Sequence, residues 1–310
     1  MTLGRHAERP VLLVLAGIGS VQLGAAFSKQ LFDVLDPTAT VWLRMVFSAL
    51  ILLAIARPRF AGRSRQDWLV VLAFGAALAT MNWSIYQSFA RMPLGLAVTI
   101  EFLGPLGIAL LHSRRYLDAG WALLAGVGVA LLGWRGSGLT VAGVLFALLA
   151  AASWAAYIPL SAATGRRWPG LSGLSLASVV GAVALAPSAV AVGGDTLLEP
   201  DVLAIMLAVG LLSSVVPYSF ELVALRTLQP RVLGILMSLE PAAAALVGMV
   251  LLQELLTPVE WLAIACVVAA SVGVTRAAGA GPPGPGLRQP GSAGRRRRRA
   301  SSRASSPPDA

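Results

Sequence analysis

The sequence predicts an all-α integral membrane protein with ten transmembrane helices, arranged as two inverted five-helix repeats. Of the 310 residues, 57% are hydrophobic and only 12% are charged, whereas a soluble protein carries about 25% charged residues. The apolar runs also reach the roughly 20 residues that a bilayer-spanning helix requires. A third observation predicts the inverted repeats: matching features recur in the two halves of the chain.

The first apolar run, from residue 10 to about residue 32, follows a basic start that resembles a signal peptide. Because the run continues too far and has no convincing cleavage site, it is interpreted as a retained first helix. The other nine predicted spans are 38–56, 67–90, 93–112, 116–134, 138–162, 171–193, 201–225, 231–252 and 257–276.

Arginine placement predicts the orientation, because short cytoplasmic connections collect Lys and Arg. Alternate connections are rich in arginine, namely residues 5–9, 57–65, 114–115, 166–167 and 226–231. The opposite connections hold most of the loop acids. We therefore expect both termini in the cytoplasm, including the N-terminal residues 1–9. The formal net charge of +10 arises from these loops and the basic tail, so it does not indicate nucleic-acid binding.

The two halves, residues 10–134 and 138–276, carry corresponding features. Trp83 precedes Arg91 by eight residues, and Tyr218 precedes Arg226 by the same interval. Five helices in each half is an odd number, which forces the halves into opposite orientations. Inverted repeats of this kind are typical of secondary transporters.

A lone glutamate followed by a proline occurs in one apolar run of each half. Glu101 and Pro105 lie in the fourth predicted span, and Glu240 and Pro241 lie in the ninth. An ionisable group near the bilayer centre costs roughly 2.5 kcal/mol or more and usually faces a partner or a wet cavity. The alternative is a packing accident or a buried ion pair. Two such pairs at matching places favour a function, either proton transfer or contact with a substrate ammonium group.

Four more side chains are expected at a depth similar to that of the glutamates. These are Asn82, Trp83 and Tyr86 in the third span and Tyr218 in the eighth. We expect them to line the same cavity. Packing is the alternative for the aromatic rings, whereas a buried amide needs hydrogen-bond partners.

Two cations fall in the outer third of the bilayer. Arg44 lies well inside its predicted helix, and Lys29 is the only lysine in the chain. Snorkelling to the interface is one interpretation, and contact with an anion is the other. Carboxylates at the centre of a cavity with cations above them suit a small zwitterion, whose amine and carboxylate need opposite partners.

Several classes of function are disfavoured. No nucleophile elbow, phosphate loop or dinucleotide fingerprint is present, so the sequence predicts no enzyme, no ATP-driven pump and no cofactor. The single cysteine, Cys266, and the two histidines form no metal-ligand spacing, which predicts no metal site. Small residues recur at every fourth position of the fifth and tenth spans, which allows close packing inside the monomer or, alternatively, in a homodimer.

The last segment, residues 277–310, is rich in Gly, Pro, Ser and Arg. This composition predicts a disordered basic cytoplasmic tail. A solvated anchor is one interpretation of the tail, and contact with anionic lipid of the bilayer is the other.

Four segments resemble a known family: GAAFSKQLF (24–32), WLRMVFSAL (42–50), LGLAVTIEFLGPL (94–106) and SLEPAAAALVGMVLLQELLTPVEW (238–261). They are similar to the EamA-type branch of the drug/metabolite transporter superfamily, and most similar to its threonine and homoserine exporters. The resemblance implies a plasma (inner) membrane protein with ten helices in two EamA repeats, and proton-driven efflux of small amino acids or related metabolites. In the first repeat HSRRYLD (112–118) stands in place of the GMVLLQELLTP segment.

The expected function is therefore proton-coupled export of small amino acids such as threonine or homoserine. Export of another small metabolite or drug on the same fold is one alternative. A non-transporting membrane scaffold or receptor is the alternative from a different class.

Overall fold

The regular structure is helical throughout the part of the chain that the structure describes. The computed structural model describes residues 5–111, 116–134, 139–217, 220, 224, 228 and 230–278. The α-helices, in chain order, are α1 (Arg5–Gln30), α2 (Pro37–Ala56), α3 (Arg65–Phe89), α4 (Leu94–Glu101), α5 (Leu103–Leu111), α6 (Tyr116–Trp134), α7 (Val141–Gly165), α8 (Ser172–Gly193), α9 (Pro200–Gly210), α10 (Pro230–Met237), α11 (Glu240–Leu251) and α12 (Pro258–Ala278).

Within these described ranges, eight helical stretches are long and apolar enough to cross a membrane. Two of them are broken helices, formed by α4 with α5 and by α10 with α11. Two shorter apolar helices, 119–132 and 200–215, correspond to the fifth and eighth predicted spans. Together the spans make the chain a multi-pass membrane protein. The first two residues of the predicted tail, 277 and 278, belong to the end of α12, and the rest of the tail lies outside the described residues.

Helix starts follow local capping chemistry. The Asp36 side chain accepts the Thr38 amide at 2.7 Å at the start of α2. Ser64 and Asp67 form a reciprocal capping box at the start of α3, with bonds of 3.2 and 2.9 Å. Such caps satisfy backbone donors that have no partner inside the helix, so they fix where these apolar runs begin.

Both broken spans end their first helix four residues before a proline. Helix α4 ends at Glu101, and Pro105 follows. Helix α10 ends at Met237, and Pro241 follows. Proline has no backbone N–H and clashes with the carbonyl four residues earlier, so each break lies where the sequence places it. Both helices are therefore interrupted beside their glutamates.

Helix α4 occupies the centre of the packing, with all eight of its residues buried. It contacts α7 and α11, while α3 contacts α7 and α8, and α2 contacts α8 and α9. A Cβ on Gly95 would lie 2.6 Å from the Ala245 Cα, and a Cβ on Gly104 would lie 2.2 Å from the Ala151 carbonyl oxygen. Only glycine permits these backbones to approach so closely.

The small-residue stripe of the tenth span is used inside the monomer at one position. Helices α6 and α12 pack against each other, and a Cβ on Gly273 would lie 2.4 Å from the Trp121 ring. The interpretation of packing inside the monomer therefore has a direct contact behind it. A homodimer stays a prediction.

Candidate functional site

A cavity of about 350 Å³ lies among the helices, and several polar side chains of the interior line it. Its wall is mixed, with aliphatic and aromatic groups between the polar ones. The polar and aromatic lining residues are Gln22, Arg44, Ser48, Asn82, Tyr86, Phe89, Glu101, Trp154, Tyr157, Ser178, Ser213, Ser214 and Glu240.

The two glutamates reach this cavity from the two broken helices. Glu101 is the last residue of α4 and is 8% exposed, and Glu240 is the first residue of α11 and is 9% exposed. Glu101 is repelled electrostatically by Glu240 and attracted by Arg44. The structure therefore gathers two carboxylates and one guanidinium around the same space.

Arg44 is held by two residues of α3. Its Nη2 donates to the Asn82 Oδ1, and its guanidinium carbon lies 5.0 Å from the centre of the Tyr86 ring. The Asn82 amide nitrogen donates in turn to the Leu78 carbonyl at 2.7 Å. The Arg44 Nε is buried and has no hydrogen-bond partner among the described residues. This donor is therefore available to an anionic group that enters the cavity.

Tyr86 is fixed at the cavity wall by its hydroxyl, which shares a hydrogen bond of 2.9 Å with the Ser28 hydroxyl. The ring also packs against Phe32 and Phe89. Tyr86 therefore both lines the cavity and packs against neighbouring rings. The two alternatives given for it from the sequence, cavity lining and packing, hold together.

Lys29 lies elsewhere. Its Nζ forms a salt bridge of 2.6 Å with Glu254 and donates to the Met92 carbonyl at 2.7 Å. The other Glu254 carboxylate oxygen accepts the Leu94 amide at 2.7 Å, at the start of α4. The structure therefore places Lys29 in a link between α1, α4 and the loop after α11, and not on the cavity wall.

Trp83 is also absent from the cavity lining. Its ring makes an edge contact with Phe146 at 5.4 Å, and its indole nitrogen donates to the Thr38 hydroxyl at 3.3 Å. Packing is therefore the role that its contacts support. Tyr218 lies outside the described residues.

Several lining residues were not expected from the sequence. Trp154 and Tyr157 come from α7, and Ser213 and Ser214 come from the turn after α9. Aromatic and hydroxyl side chains are common in membrane helices, so nothing in their spacing distinguishes them. In the described residues no group of three or more His, Cys, Asp or Glu side chains has the arrangement of a metal site.

A cavity lined by charged groups inside a bundle of apolar helices defines a multi-pass membrane protein of the transporter class, because buried charges in a membrane mark solute or ion pathways. The chain belongs to the EamA-like transporter family. The sequence pattern of that family matches residues 141–276.

Proteins similar to this chain are described as exporters or transporters. The chain is 39% identical over 269 residues to the threonine/homoserine exporter RhtA of Escherichia coli K12, covering 86% of this chain and 91% of that protein. The RhtA protein of Salmonella typhimurium LT2 gives the same identity and coverage. The uncharacterized transporter YwfM of Bacillus subtilis is 26% identical over 228 residues, which is 71% of this chain and 69% of YwfM.

A solved structure titled "Crystal structure of protein" shares the fold. Its TM-score is 0.59 at 19% sequence identity, with 87% of this chain and 97% of that chain covered. At this identity the likeness concerns the fold alone.

Proposed function

We propose that the protein is a proton-coupled exporter of small amino acids, with threonine and homoserine as substrates. One observation carries the proposal: Glu101, Glu240 and Arg44 line a single cavity at the breaks of two helices. The substrate class is supported by the 39% identity to relatives described as threonine/homoserine exporters.

The cavity chemistry matches a zwitterion. The Arg44 Nε–H is a buried donor without a described partner, and a substrate carboxylate accepts such a bond well because the bond is charge-assisted. A carboxylate of Glu101 or Glu240 faces the substrate ammonium group, and the other binds and releases the coupling proton. Two glutamates at one cavity supply both roles, which a single carboxylate does not.

We further propose that ten transmembrane helices form two inverted five-helix repeats, residues 10–134 and 138–276. The helix contacts support this arrangement, because they recur when each span is exchanged for the span five positions away. The pair α3 with α7 becomes α9 with α1, and the pair α4 with α7 becomes α10 with α1; all four contacts are present. The pairs α2 with α8 and α6 with α12 map onto themselves.

We also propose that the protein lies in the plasma (inner) membrane. The arginine-rich connections support an orientation with residues 1–9 and the tail 277–310 in the cytoplasm. In this orientation the chain exports by taking substrate from the cytoplasmic side and returning a proton inward.

The test uses purified protein in liposomes whose lumen is more acidic than the medium. A proton exchanger accumulates labelled threonine or homoserine in the lumen as protons leave, whichever way it is inserted. An ionophore that collapses the gradient should abolish the accumulation, and protein-free liposomes are the control. Accumulation that is indifferent to the gradient contradicts proton coupling. Movement of neither amino acid contradicts the substrate assignment.

A further inference from the structure

The helix that follows Pro200 changes its hydrogen-bond pattern at the cavity wall. After α9 ends at Gly210, residues Leu211–Val215 form a π-helical turn, and the Val216 amide donates to the Leu211 carbonyl. Such turns are rare and occur frequently at functional sites, because they displace side chains from the regular helical position. Here the turn presents Ser213 and Ser214 to the cavity.

A hydroxyl pair joins this turn to α2. The Ser214 Oγ and the Ser48 Oγ lie 2.6 Å apart, and both residues are buried. Both also line the cavity. A hydroxyl donates one hydrogen bond and accepts two, so the pair retains one donor and several acceptor positions after its mutual bond. A hydroxyl group of a bound molecule can accept from this pair and donate to it.

Neighbouring residues hold the turn in position. The Ser20 hydroxyl donates to the Leu212 carbonyl at 2.7 Å. A Cβ on Gly24 would lie 2.3 Å from the Ser213 Oγ, and a Cβ on Gly210 would lie 3.0 Å from the Phe47 Cβ. A methyl group at Gly24 would force the Ser213 hydroxyl to move, and one at Gly210 would press on Phe47, so both glycines leave room for the close approach of α1 and α2 to the turn.

The position of the pair relative to Arg44 fits the dimensions of a small amino acid. Ser48 is one helical turn after Arg44 on α2, and four residues correspond to about 6 Å along the helix axis. A substrate whose carboxylate binds Arg44 can therefore reach Ser48 with its side chain when that side chain points along α2 in the direction of Ser48. Threonine and homoserine both carry a side-chain hydroxyl within one or two carbon atoms of Cα.

We propose that the Ser48–Ser214 pair is the subsite for the side-chain hydroxyl of the substrate, and that it selects hydroxy amino acids over apolar isosteres. This inference rests on the proposed function. A site that hydrogen-bonds a substrate hydroxyl disfavours the analogue that lacks it, because the polar groups of the site are then left without a partner.

The test measures competition against labelled threonine in counterflow across proteoliposomes. Threonine is compared with valine, its apolar isostere, and homoserine with norvaline. In the unsubstituted protein each hydroxy amino acid should compete about tenfold better than its isostere. In the double variant Ser48→Ala, Ser214→Ala the ratio should fall to about threefold or less, through weaker binding of the hydroxy amino acid. Ser48→Thr, which keeps a hydroxyl, should preserve the preference.

A second buried hydroxyl pair provides a matched control. The Ser238 Oγ and the Ser271 Oγ lie 2.7 Å apart, and neither residue lines the cavity. The double variant Ser238→Ala, Ser271→Ala removes the same groups from the interior and should leave the competition ratio unchanged. An equal fall of the ratio in this control would assign the effect to general loss of structure.

The outcomes separate the two proposals. Transport of threonine with an unchanged ratio in the Ser48→Ala, Ser214→Ala variant overturns the subsite and leaves the proposed function standing. If the unsubstituted protein moves neither threonine nor homoserine, the proposed function fails and the subsite fails with it. If the double variant is not monodisperse in detergent, the single variant Ser214→Ala replaces it. The same fall in the competition ratio is expected for this single variant.

Discussion

Glu101 ends the first half of one broken helix, and Glu240 begins the second half of another; both side chains line the same cavity. Helices α4 and α11, which carry them, are packed against each other. Charge placed on one glutamate is therefore felt by the other, and the pair is the first target for substitution.

We expect Glu101→Gln or Glu240→Gln to uncouple transport from the proton gradient. Glutamine keeps the shape of the side chain and cannot bind and release a proton. The variant at the proton-carrying position should reach the membrane at a normal level, lose gradient-driven threonine accumulation and retain threonine exchange. The exposed residue Glu199 supplies the control Glu199→Gln. Full gradient-driven transport by both single variants and the double variant would contradict the proposed mechanism.

Substitution of Glu254 should reveal two separate contributions. Its carboxylate pairs with Lys29 and also accepts the Leu94 amide. Glu254→Gln removes the charge but keeps an acceptor for the amide, whereas Glu254→Leu removes both. We therefore expect Glu254→Leu to lower the thermal unfolding temperature more than Glu254→Gln does. The loss of both interactions in Glu254→Leu should lower the free energy of unfolding by about 1–3 kcal/mol. Equal effects would show that the Leu94 contact contributes nothing.

Two glycines of the fourth span should respond differently to an added methyl group. A Cβ on Gly95 meets the Ala245 backbone at 2.6 Å, whereas a Cβ on Gly107 has nothing within 4 Å. Gly95→Ala should cost about 1–3 kcal/mol through overpacking, and Gly107→Ala should be neutral or slightly stabilising because alanine favours the helix. Thermal unfolding of the purified variants in detergent measures both. A tolerated Gly95→Ala would show that α4 and α11 move apart at little cost.

Single cysteines test the orientation in a Cys266→Ala background. Arg59→Cys and Arg166→Cys lie in exposed, arginine-rich connections, and Asp195→Cys lies in an exposed acidic connection. An impermeant thiol reagent added to intact cells should label Asp195→Cys and spare the other two, which should react only after the membrane is opened. The reverse pattern would place both termini outside the cytoplasm.

The breaks in the two spans were predictable because they arise from chemistry within one helical turn. Pro105 and Pro241 each lack a donor, and each break lies four residues earlier. The sequence could not show that Arg44 lines the cavity whereas Lys29 does not. The sequence predicts a similar depth in the bilayer for both residues. Which neighbouring helix each side chain faces depends on packing between helices that are distant in the sequence. Glu254, the partner of Lys29, lies in the other half of the chain.

The π-helical turn was also beyond prediction from the sequence. The segment Leu211–Val215 reads as part of one apolar helix, and no proline or glycine within it marks the change in hydrogen bonding. A neighbouring helix contacts the turn through the Ser20 hydroxyl, which donates to the Leu212 carbonyl. The hydroxyl pair at the cavity is a product of the tertiary structure, so it left no local pattern.

The volume of the cavity has a consequence for the range of solutes that the protein admits. At about 350 Å³, the space equals that of about a dozen water molecules in the liquid. A small amino acid fills only part of it and keeps some of its hydration shell on the way through. Exclusion by size is therefore weak for solutes as small as these amino acids. Discrimination among solutes that fit then depends on the polar groups of the cavity wall.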